Sequence, residues 1–218
     1  MTIQIFFTEI SSTYEYKTAD LMKQVSVERQ YQLAKFRFDI DRKLSLYSEL
    51  LVRNQICKEL GLKNREIIFV RNKHGKPYLK DHPKFQFNIS HTRNAIVAAF
   101  SNNEIGIDVE PIRQPNYKIA ARFFTPSEYK YILNDKNQER TFYEIWTKKE
   151  AYIKYIGTGL FISLKSFDVM DYEIKSLMHT FDTGRYIVST CCNELKVTKP
   201  TVTTMMETEL QVLLRSIH

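Results

Sequence analysis

Three short segments near the middle of the chain constrain the fold most, because apolar and polar residues alternate along two of them. In the last segment, Ile105, Ile107 and Val109 are separated by a glycine and an aspartate. Residues 85–90 show the same period, and residues 95–100 between them are apolar. Side chains of a strand point alternately to its two faces, so this pattern predicts half-buried strands. The short connections predict an up-down-up meander in which the first and third strands end at one edge of a single sheet.

Two long helices are predicted on either side of this meander. Between residues 42 and 60, apolar residues recur at near-helical spacing, and Gly61 supplies a C-terminal stop. The second helix covers about residues 139–156 and is followed by Gly157. Elsewhere, strands are expected over residues 2–8 and 66–70, helical structure over residues 20–38, and mainly strands over residues 163–202.

A weak internal echo indicates that the chain contains two related halves. Residues 96–104 resemble residues 187–194, and few glycines or prolines, six of each, are available to form a linker between the halves. The expected fold class is α+β, with two similar α/β subdomains packed side by side. We place these subdomains at residues 1–104 and 105–218.

Composition excludes several classes of protein. Hydrophobic residues make up 43% and charged residues 26%, as in globular domains, which argues against disorder or a coiled coil. No apolar stretch is long enough to cross a bilayer, and the N-terminus lacks the basic region of a signal peptide. The three cysteines form neither a disulfide framework nor a zinc pattern, so a reduced, cytoplasmic protein is expected. The net charge of +7 favours an anionic partner.

Two acidic residues, Asp108 and Glu110, share one face of the third predicted strand. Residues two apart on a strand are about 6.6 Å apart, so their carboxylates can converge on one ion. The alternative interpretation is a polar strand face in water.

Glu150 adds a third carboxylate to the argument. The helical repeat places it on the same stripe as Trp146 and Ile153, on or beside the face that meets the core. A carboxylate there needs a partner, because burial of an unpaired charge is unfavourable. Lys154, four residues on, could be that partner. Alternatively, Glu150 completes a set of three hard oxygen ligands that suits Mg²⁺.

Several cations lie near these acidic residues in the predicted fold. Lys76 follows a glycine in a turn, His91 follows a strand end, and Lys149 and Lys154 flank Glu150. A divalent cation with several positive side chains is typical of sites that hold a pyrophosphate. Neither a Walker A sequence nor a GxGxxG sequence is present. The residues alone therefore predict a magnesium-dependent enzyme that acts on a phosphate ester or anhydride.

Five segments, taken in this order, resemble one family, the phosphopantetheinyl transferases. They are Gly-Lys-Pro at 75–77, Phe-Asn-Ile-Ser-His at 87–91, Gly-Ile-Asp-Val-Glu at 106–110, Phe-Thr-Pro-Ser-Glu at 124–128, and the long block at 146–160. The length resembles that of the larger, surfactin-synthetase-activating type. This resemblance implies an intramolecular pseudo-dimer in which each subdomain is an antiparallel sheet packed with a long helix.

The resemblance implies that the chain transfers the 4′-phosphopantetheinyl arm of coenzyme A to a serine of an apo acyl or peptidyl carrier protein, releasing adenosine 3′,5′-bisphosphate. The N-terminal subdomain would contact the nucleotide of coenzyme A, and the C-terminal subdomain would carry the metal and catalytic residues.

The same resemblance implies roles for individual residues. Mg²⁺, with Mn²⁺ as the alternative, would be held by Asp108, Glu110 and Glu150. Glu150 would also be the base, acting directly or through water, and Lys154 would offset charge on the leaving phosphate. Coenzyme A would be held by Lys76, Ser90, His91 and Lys149, with Lys43 and Ser45 as further candidates. Glu128 would lie near the site.

The expected partners are coenzyme A and a carrier protein, and the expected state is a monomer without a nucleic-acid or membrane partner. The rival hypothesis is a basic nucleic-acid-binding protein without catalysis, in which the 13% aromatic residues would stack on bases. Against this rival, three carboxylates would repel phosphate without a metal, and the basic residues are scattered.

Overall fold

The computed structural model describes residues 2–11, 18–196 and 198–217, which form an α+β fold. Its strands are β1 (Gln4–Glu9), β2 (Phe69–Arg71), β3 (Pro77–Leu79), β4 (Gln86–Thr92), β5 (Ala95–Ser101), β6 (Ile105–Pro111), β7 (Met178–Asp182), β8 (Tyr186–Cys192) and β9 (Thr201–Met205). Its helices are α1 (Thr18–Met22), α2 (Val27–Ala34), α3 (Asp39–Leu60), α4 (Tyr117–Phe123), α5 (Pro126–Asn134), α6 (Gln138–Ile156), α7 (Tyr172–Lys175) and α8 (Glu207–Arg215).

Two larger sheets make up the two predicted subdomains. The first has the strand order β4-β5-β1-β9 and packs against α3, and the second has the order β6-β8-β7 and packs against α6. The two segments of the sequence echo begin in β5 and β8 and run into the turns that follow these strands. The predicted α+β fold with two related subdomains is therefore confirmed.

The predicted three-strand meander is wrong in one respect. β4 and β5 pair antiparallel as expected, but β6 pairs with β8 in the second sheet. β6 nevertheless lies beside β4, since the side-chain oxygen of Asn88 accepts a hydrogen bond from the backbone N–H of Ile107 at 2.9 Å. The ends of β4 and β6 therefore meet across the boundary between two sheets rather than along the edge of one.

The C-terminal segment returns to the N-terminal half of the molecule. β9 pairs with β1 in parallel, so the first sheet is mixed rather than wholly antiparallel. Beyond it, α8 packs on α3. The predicted C-terminal subdomain extended to residue 218, whereas residues 201–217 pack with the other half.

Several predicted element boundaries shift. The region 20–38 contains two short helices, α3 begins at Asp39, and the strand predicted at 66–70 lies at Phe69–Arg71. Among the described residues between 163 and 202, the strands are β7, β8 and the start of β9, and α7 and short 3-10 turns occupy part of the rest. Among the described residues, none of the helices combines the length and hydropathy that crossing a bilayer requires.

The core between the two sheets fixes which way β6 faces. Ile105, Ile107 and Val109 are buried against apolar residues of β1 and β5. Because strand side chains alternate, Gly106, Asp108 and the residues in step with them face α6 instead. The apolar side of β6 thus orients its acidic side.

Gly106 permits an unusually close approach of β6 to α6. A Cβ atom at this position would lie 2.0 Å from the carbonyl oxygen of Ala151 and 2.3 Å from the backbone nitrogen of Tyr155. Both contacts are with the backbone of a helix, which cannot move aside as a side-chain tip can. The strand and the helix can therefore pack at this distance only with glycine.

We predict that Gly106→Ala destabilises the protein by about 3 kcal/mol or more, because overpacking against rigid backbone forces the helix away from the strand. Gly184→Asn is the control: this residue also lacks a side chain but has open space around it and a φ of 87°, which asparagine tolerates. Its cost should be about 1 kcal/mol. Chemical denaturation measures both values, and equal stability of Gly106→Ala and the wild type would contradict the packing argument.

Candidate active site

Acidic and basic side chains meet where β4, β6 and α6 come together. β6 contributes Asp108 and Glu110, and the facing part of α6 contributes Glu150 and Lys154. Ser90 at the end of β4 reaches the same place from the N-terminal half. The site therefore lies at the junction of the two halves.

Asp108 is the most enclosed of these carboxylates, with 6% of its surface exposed. Its Oδ1 accepts hydrogen bonds from Ser90 Oγ at 2.8 Å and from Lys154 Nζ at 2.7 Å. Its Oδ2 is buried and has no hydrogen-bond partner among the described residues. A buried carboxylate oxygen without a partner is unfavourable, so this atom is suited to receive a ligand.

Lys154 pairs with the strand rather than with its own helix. Its ammonium donates to Asp108 Oδ1, to Ser90 Oγ at 2.9 Å and to the carbonyl oxygen of Ile107 at 3.1 Å. The helical ion pair between Glu150 and Lys154, one of the two alternatives for Glu150, is therefore not found in the described part of the chain. The close packing of α6 on β6 explains this choice, because it brings Asp108 within reach of Lys154.

The two remaining carboxylates are held in an unfavourable environment. Burial, together with the charge of Asp108, raises the pKa of Glu110 to about 7. Burial and the charge of Asp108 also raise the pKa of Glu150. Like charges near each other disfavour ionisation, and a cation between them would relieve that repulsion.

The donor set therefore fits a hard divalent cation, since it consists of carboxylate oxygens, one of them buried without a partner. The charge of these carboxylates suits a cation, but their positions do not yet form a complete coordination shell. No group of three or more acidic, histidine or cysteine side chains in the described ranges is arranged closely enough to form a finished metal site.

The predicted nucleotide-binding residues divide into two sets, and one of them lies at or near this junction. His91 follows Ser90 near the end of β4 and is exposed, but it faces the opposite side of the strand, where it lines a cavity with Phe38 and Asp41. Lys76 lies in the turn between β2 and β3 and donates to Glu104 at 2.7 Å and to the carbonyl oxygen of Ile105 at 3.2 Å. Ile105 begins β6, so Lys76 is tied to the start of the strand that carries the acidic residues.

The other predicted nucleotide-binding residues have partners elsewhere. Lys149 is fully buried and pairs with Glu128 at 2.8 Å. Lys43 pairs with Glu207 and donates to the carbonyl oxygen of Ser11. A direct contact between coenzyme A and either lysine would require the lysine to leave these partners.

Ser45 belongs to a polar group that the sequence analysis did not assemble. Its hydroxyl accepts a hydrogen bond from Arg29 at 2.6 Å, and Arg29 also pairs with Glu49 at 2.6 Å. Arg29 and Glu49 line a cavity of about 480 Å³ between α2, α3 and the β2–β3 hairpin. Only the fold brings α2 onto α3, so spacing in the sequence gives no signal for this group.

Asn88 is a second residue that the sequence analysis passed over. Its side chain joins β4 to β6 by the hydrogen bond to Ile107 and thereby fixes the relative position of Ser90 and Asp108. The signal was available, because Asn88 and Ser90 both lie on the polar side of the alternating segment 85–90.

A smaller cavity of about 280 Å³ opens beside Glu110. Apolar and aromatic side chains form one wall, and Phe142 and Trp146 are stacked there with ring centroids 6.3 Å apart. Arg113 and Glu110 provide charge at its rim. An arrangement of carboxylates and an ammonium next to a partly apolar cavity suits a ligand with a phosphate group and an apolar arm.

Family comparisons cover nearly the whole chain. A model described as "4′-phosphopantetheinyl transferase, N-terminal" matches residues 12–103, and one described as "4′-phosphopantetheinyl transferase superfamily" matches residues 104–203.

Individual relatives carry the same name. The chain is 35% identical over 180 residues to 4′-phosphopantetheinyl transferase gsp of Aneurinibacillus migulanus, which covers 81% of this chain and 75% of the relative. It is 38% identical over 145 residues to 4′-phosphopantetheinyl transferase psf-1 of Bacillus pumilus, covering 66% and 62% of the two chains. It is 36% identical over 150 residues to 4′-phosphopantetheinyl transferase Sfp of Bacillus subtilis, covering 68% and 67%.

We predict that the Glu110 carboxyl titrates near pH 7 in protein freed of divalent cations, against an ordinary value of 4.5. The folded state then binds this proton more tightly than the unfolded state. The stability that it contributes is complete below about pH 4.5 and is lost as the pH rises through 7. Asp108→Asn should lower the pKa of Glu110, because it removes the neighbouring charge, whereas the remote change Glu144→Gln should not.

Carboxyl carbon chemical shifts, followed by NMR as the pH is varied, measure this pKa directly. An ordinary pKa for Glu110 in the wild type, or the same raised value in Asp108→Asn, would show that the two carboxylates do not interact.

Proposed function

The chain belongs to the 4′-phosphopantetheinyl transferase family, and we propose that it transfers the 4′-phosphopantetheinyl group of coenzyme A to a serine of a carrier protein with the help of Mg²⁺. The observation that carries the finer part of this proposal is the meeting of Asp108, Glu110 and Glu150 with Lys154 at the junction of the two halves.

The proposed reaction is an attack on the pyrophosphate of coenzyme A. The serine oxygen forms a bond to the phosphorus that bears the pantetheine arm, and the bond from that phosphorus to the bridging oxygen breaks. Adenosine 3′,5′-bisphosphate leaves with the bridging oxygen, and the serine proton passes to Glu150, directly or through water. Burial and the charge of Asp108 raise the pKa of Glu150, which makes its carboxylate a stronger base than that of an exposed glutamate.

Asp108, Glu110 and Glu150 are the residues that would hold Mg²⁺. When bound, the ion would neutralise charge on the pyrophosphate and act as a Lewis acid. Lys154 would offset charge on the leaving phosphate through its positive charge, since its ammonium already donates to Asp108, Ser90 and the carbonyl oxygen of Ile107. Mn²⁺ could take the same oxygen ligands.

The nucleotide end of coenzyme A would be held by residues of the N-terminal half. Ser90 donates to Asp108, His91 follows it on the opposite face of β4, and Lys76 is joined to the start of β6. His91 is assigned to the 3′-phosphate. Ser45 would contribute through the Arg29 group that lines the larger cavity.

The residues proposed to contact the nucleotide and those proposed to bind the metal lie on either side of a boundary near residue 104. The two family models adjoin between residues 103 and 104, which supports that boundary. Because β9 and α8 contact β1 and α3 of the N-terminal half, we propose that the second unit, as a packed body, ends before residue 201.

We further propose that the protein is a cytoplasmic monomer that binds neither nucleic acid nor membrane. The proposed site residues all belong to one chain, which supports a monomer. Neither the site nor the relatives favour the nucleic-acid-binding alternative.

The test of this function is the mass of a carrier protein. We expect an apo carrier incubated with the protein, coenzyme A and Mg²⁺ to gain one phosphopantetheinyl group, and to remain unchanged when coenzyme A is omitted or Mg²⁺ is chelated. Mass spectrometry reads the result. If carriers of fatty-acid, polyketide and nonribosomal-peptide synthesis all stay unmodified, the proposed function is wrong.

We predict that Glu150→Gln remains folded but loses about 10²–10⁴-fold in turnover, because it removes a general base, and that saturating Mg²⁺ does not restore the rate. Glu144→Gln is the matched control on the same helix, since Glu144 pairs only with Lys148 among the described residues. Full recovery of Glu150→Gln at high Mg²⁺ would leave Glu150 a ligand and exclude it as the base. A lower melting temperature with near-normal turnover would assign it a purely structural role.

A further inference from the structure

A buried ion pair lies beside the site, and its enclosure argues against the direct contact with coenzyme A that the resemblance implies for Lys149. Lys149 and Glu128 are both fully buried, with Nζ and Oε2 2.8 Å apart. Lys149 immediately precedes Glu150 on α6, but it points into the C-terminal half. Burial of two charges needs complete compensation to persist, so the partners of this pair indicate what it holds in place.

Every donor of the Lys149 ammonium is used. Besides Glu128, it donates to the carbonyl oxygens of Leu164 and Phe167, each at 2.7 Å. Its charge also lies 4.3 Å from the centre of the Phe167 ring. No donor is left for a phosphate, so the contribution of Lys149 to the reaction must be indirect.

The acceptors of Glu128 are used in the same way. Its Oε2 accepts the backbone N–H of Thr125 at 2.8 Å, and its Oε1 accepts that of Val169 at 2.9 Å. Asp168 adds a second tie, since it accepts hydrogen bonds from the hydroxyls of Thr125 and Ser127. The pair therefore joins three pieces of chain: the start of α5, the middle of α6 and residues 164–169.

Residues 164–169 continue from the turn that ends α6, and that turn contacts the N-terminal half. The carbonyl oxygen of Gly157 accepts a hydrogen bond from Asn72 at 3.2 Å, and the rings of His74 and Phe161 are 5.1 Å apart. A Cβ at Gly157 would be 3.4 Å from the Lys76 side chain. The end of α6 is thus packed directly against the turn that presents Lys76.

We propose that Lys149 and Glu128 are positioning residues for the transfer reaction. By clamping residues 164–169 to α5 and α6, they hold the turn at 157–161 against the turn at 72–76, and so set the position of Lys76 relative to Glu150. This role rests on the proposed function, because it presumes that Lys76 contacts coenzyme A. We call Lys149, Glu128 and the residues that they hold, 164–169, the clamp. Through the clamp, a segment of the C-terminal half would influence nucleotide binding by the N-terminal half.

The experiment compares four variants with the wild type. Lys149→Met keeps the length of the side chain and removes its charge, and Lys149→Met/Glu128→Gln removes both charges and keeps one amide oxygen for the backbone donors. Asp168→Ala, at a more exposed position, weakens the same clamp without disturbing a buried charge. Lys148→Met is the matched control: Lys148 also forms an ion pair on α6, but with Glu144 of the same helix.

Kinetics and backbone exchange are both measured well below the melting temperature of each variant. For the clamp variants we expect the KM for coenzyme A to rise about tenfold for the double variant and about threefold for Asp168→Ala. The KM for the carrier should stay within twofold of the wild-type value. Hydrogen exchange should become faster at residues 157–169 and 72–76, and not in β6. Lys148→Met should match the wild type in every respect.

A purely structural pair would lower the melting temperature and leave the KM for coenzyme A unchanged in the folded variants, which would overturn the proposal. If Lys149→Met or the double variant does not fold, Asp168→Ala provides the test. Hydrogen exchange and a KM for coenzyme A equal to those of the wild type in Asp168→Ala would also overturn the proposal. Failure of the proposed function is separate, because it appears as an inactive wild type. In that case the exchange measurement alone still decides whether the clamp holds the two turns together.

Discussion

The close packing of β6 on α6 is the constraint on which the rest of the site depends. Because Gly106 has no side chain, the backbone of α6 at Ala151 and Tyr155 lies directly against the strand. This distance allows Lys154 to reach across to Asp108 and brings Glu150 near the acidic side of β6. A larger residue at position 106 would separate the two elements that carry every proposed catalytic group.

The site brings together negatively charged side chains that repel one another. Burial and the charge of Asp108 raise the pKa of both Glu110 and Glu150, and Oδ2 of Asp108 has no hydrogen-bond partner within the described part of the chain. Such an arrangement is unfavourable for the protein alone and becomes favourable when positive charge arrives. Repulsion between buried carboxylates of this kind favours the binding of a cation, as a site for a cation and a pyrophosphate requires.

The pseudo-dimer explains why the site lies where it does. Each half supplies one strand to the junction, β4 from the first and β6 from the second, and Asn88 joins them by a side-chain hydrogen bond rather than by a sheet ladder. Ser90 and His91 come from one half and the carboxylates from the other. A substrate with a nucleotide at one end and a reacting phosphate in the middle can then span both halves, and the buried pair of Lys149 and Glu128 ties the end of α6 into the same arrangement.

The sequence by itself determined the local elements and the chemistry of the site. Alternation along residues 105–109 predicts the strand, its buried side and its acidic side, and the spacing from Trp146 to Lys154 predicts a helix with Glu150 near the core. Only the tertiary structure decided which partners these residues have. β6 pairs with β8 rather than with the meander, Lys154 pairs with Asp108 rather than with Glu150, and Lys149 pairs with Glu128. Each of these depends on contacts between residues at least 21 positions apart in the chain. Periodicity in a sequence reports which side of an element is buried, but not what lies against it, because that is fixed by the packing of the whole chain.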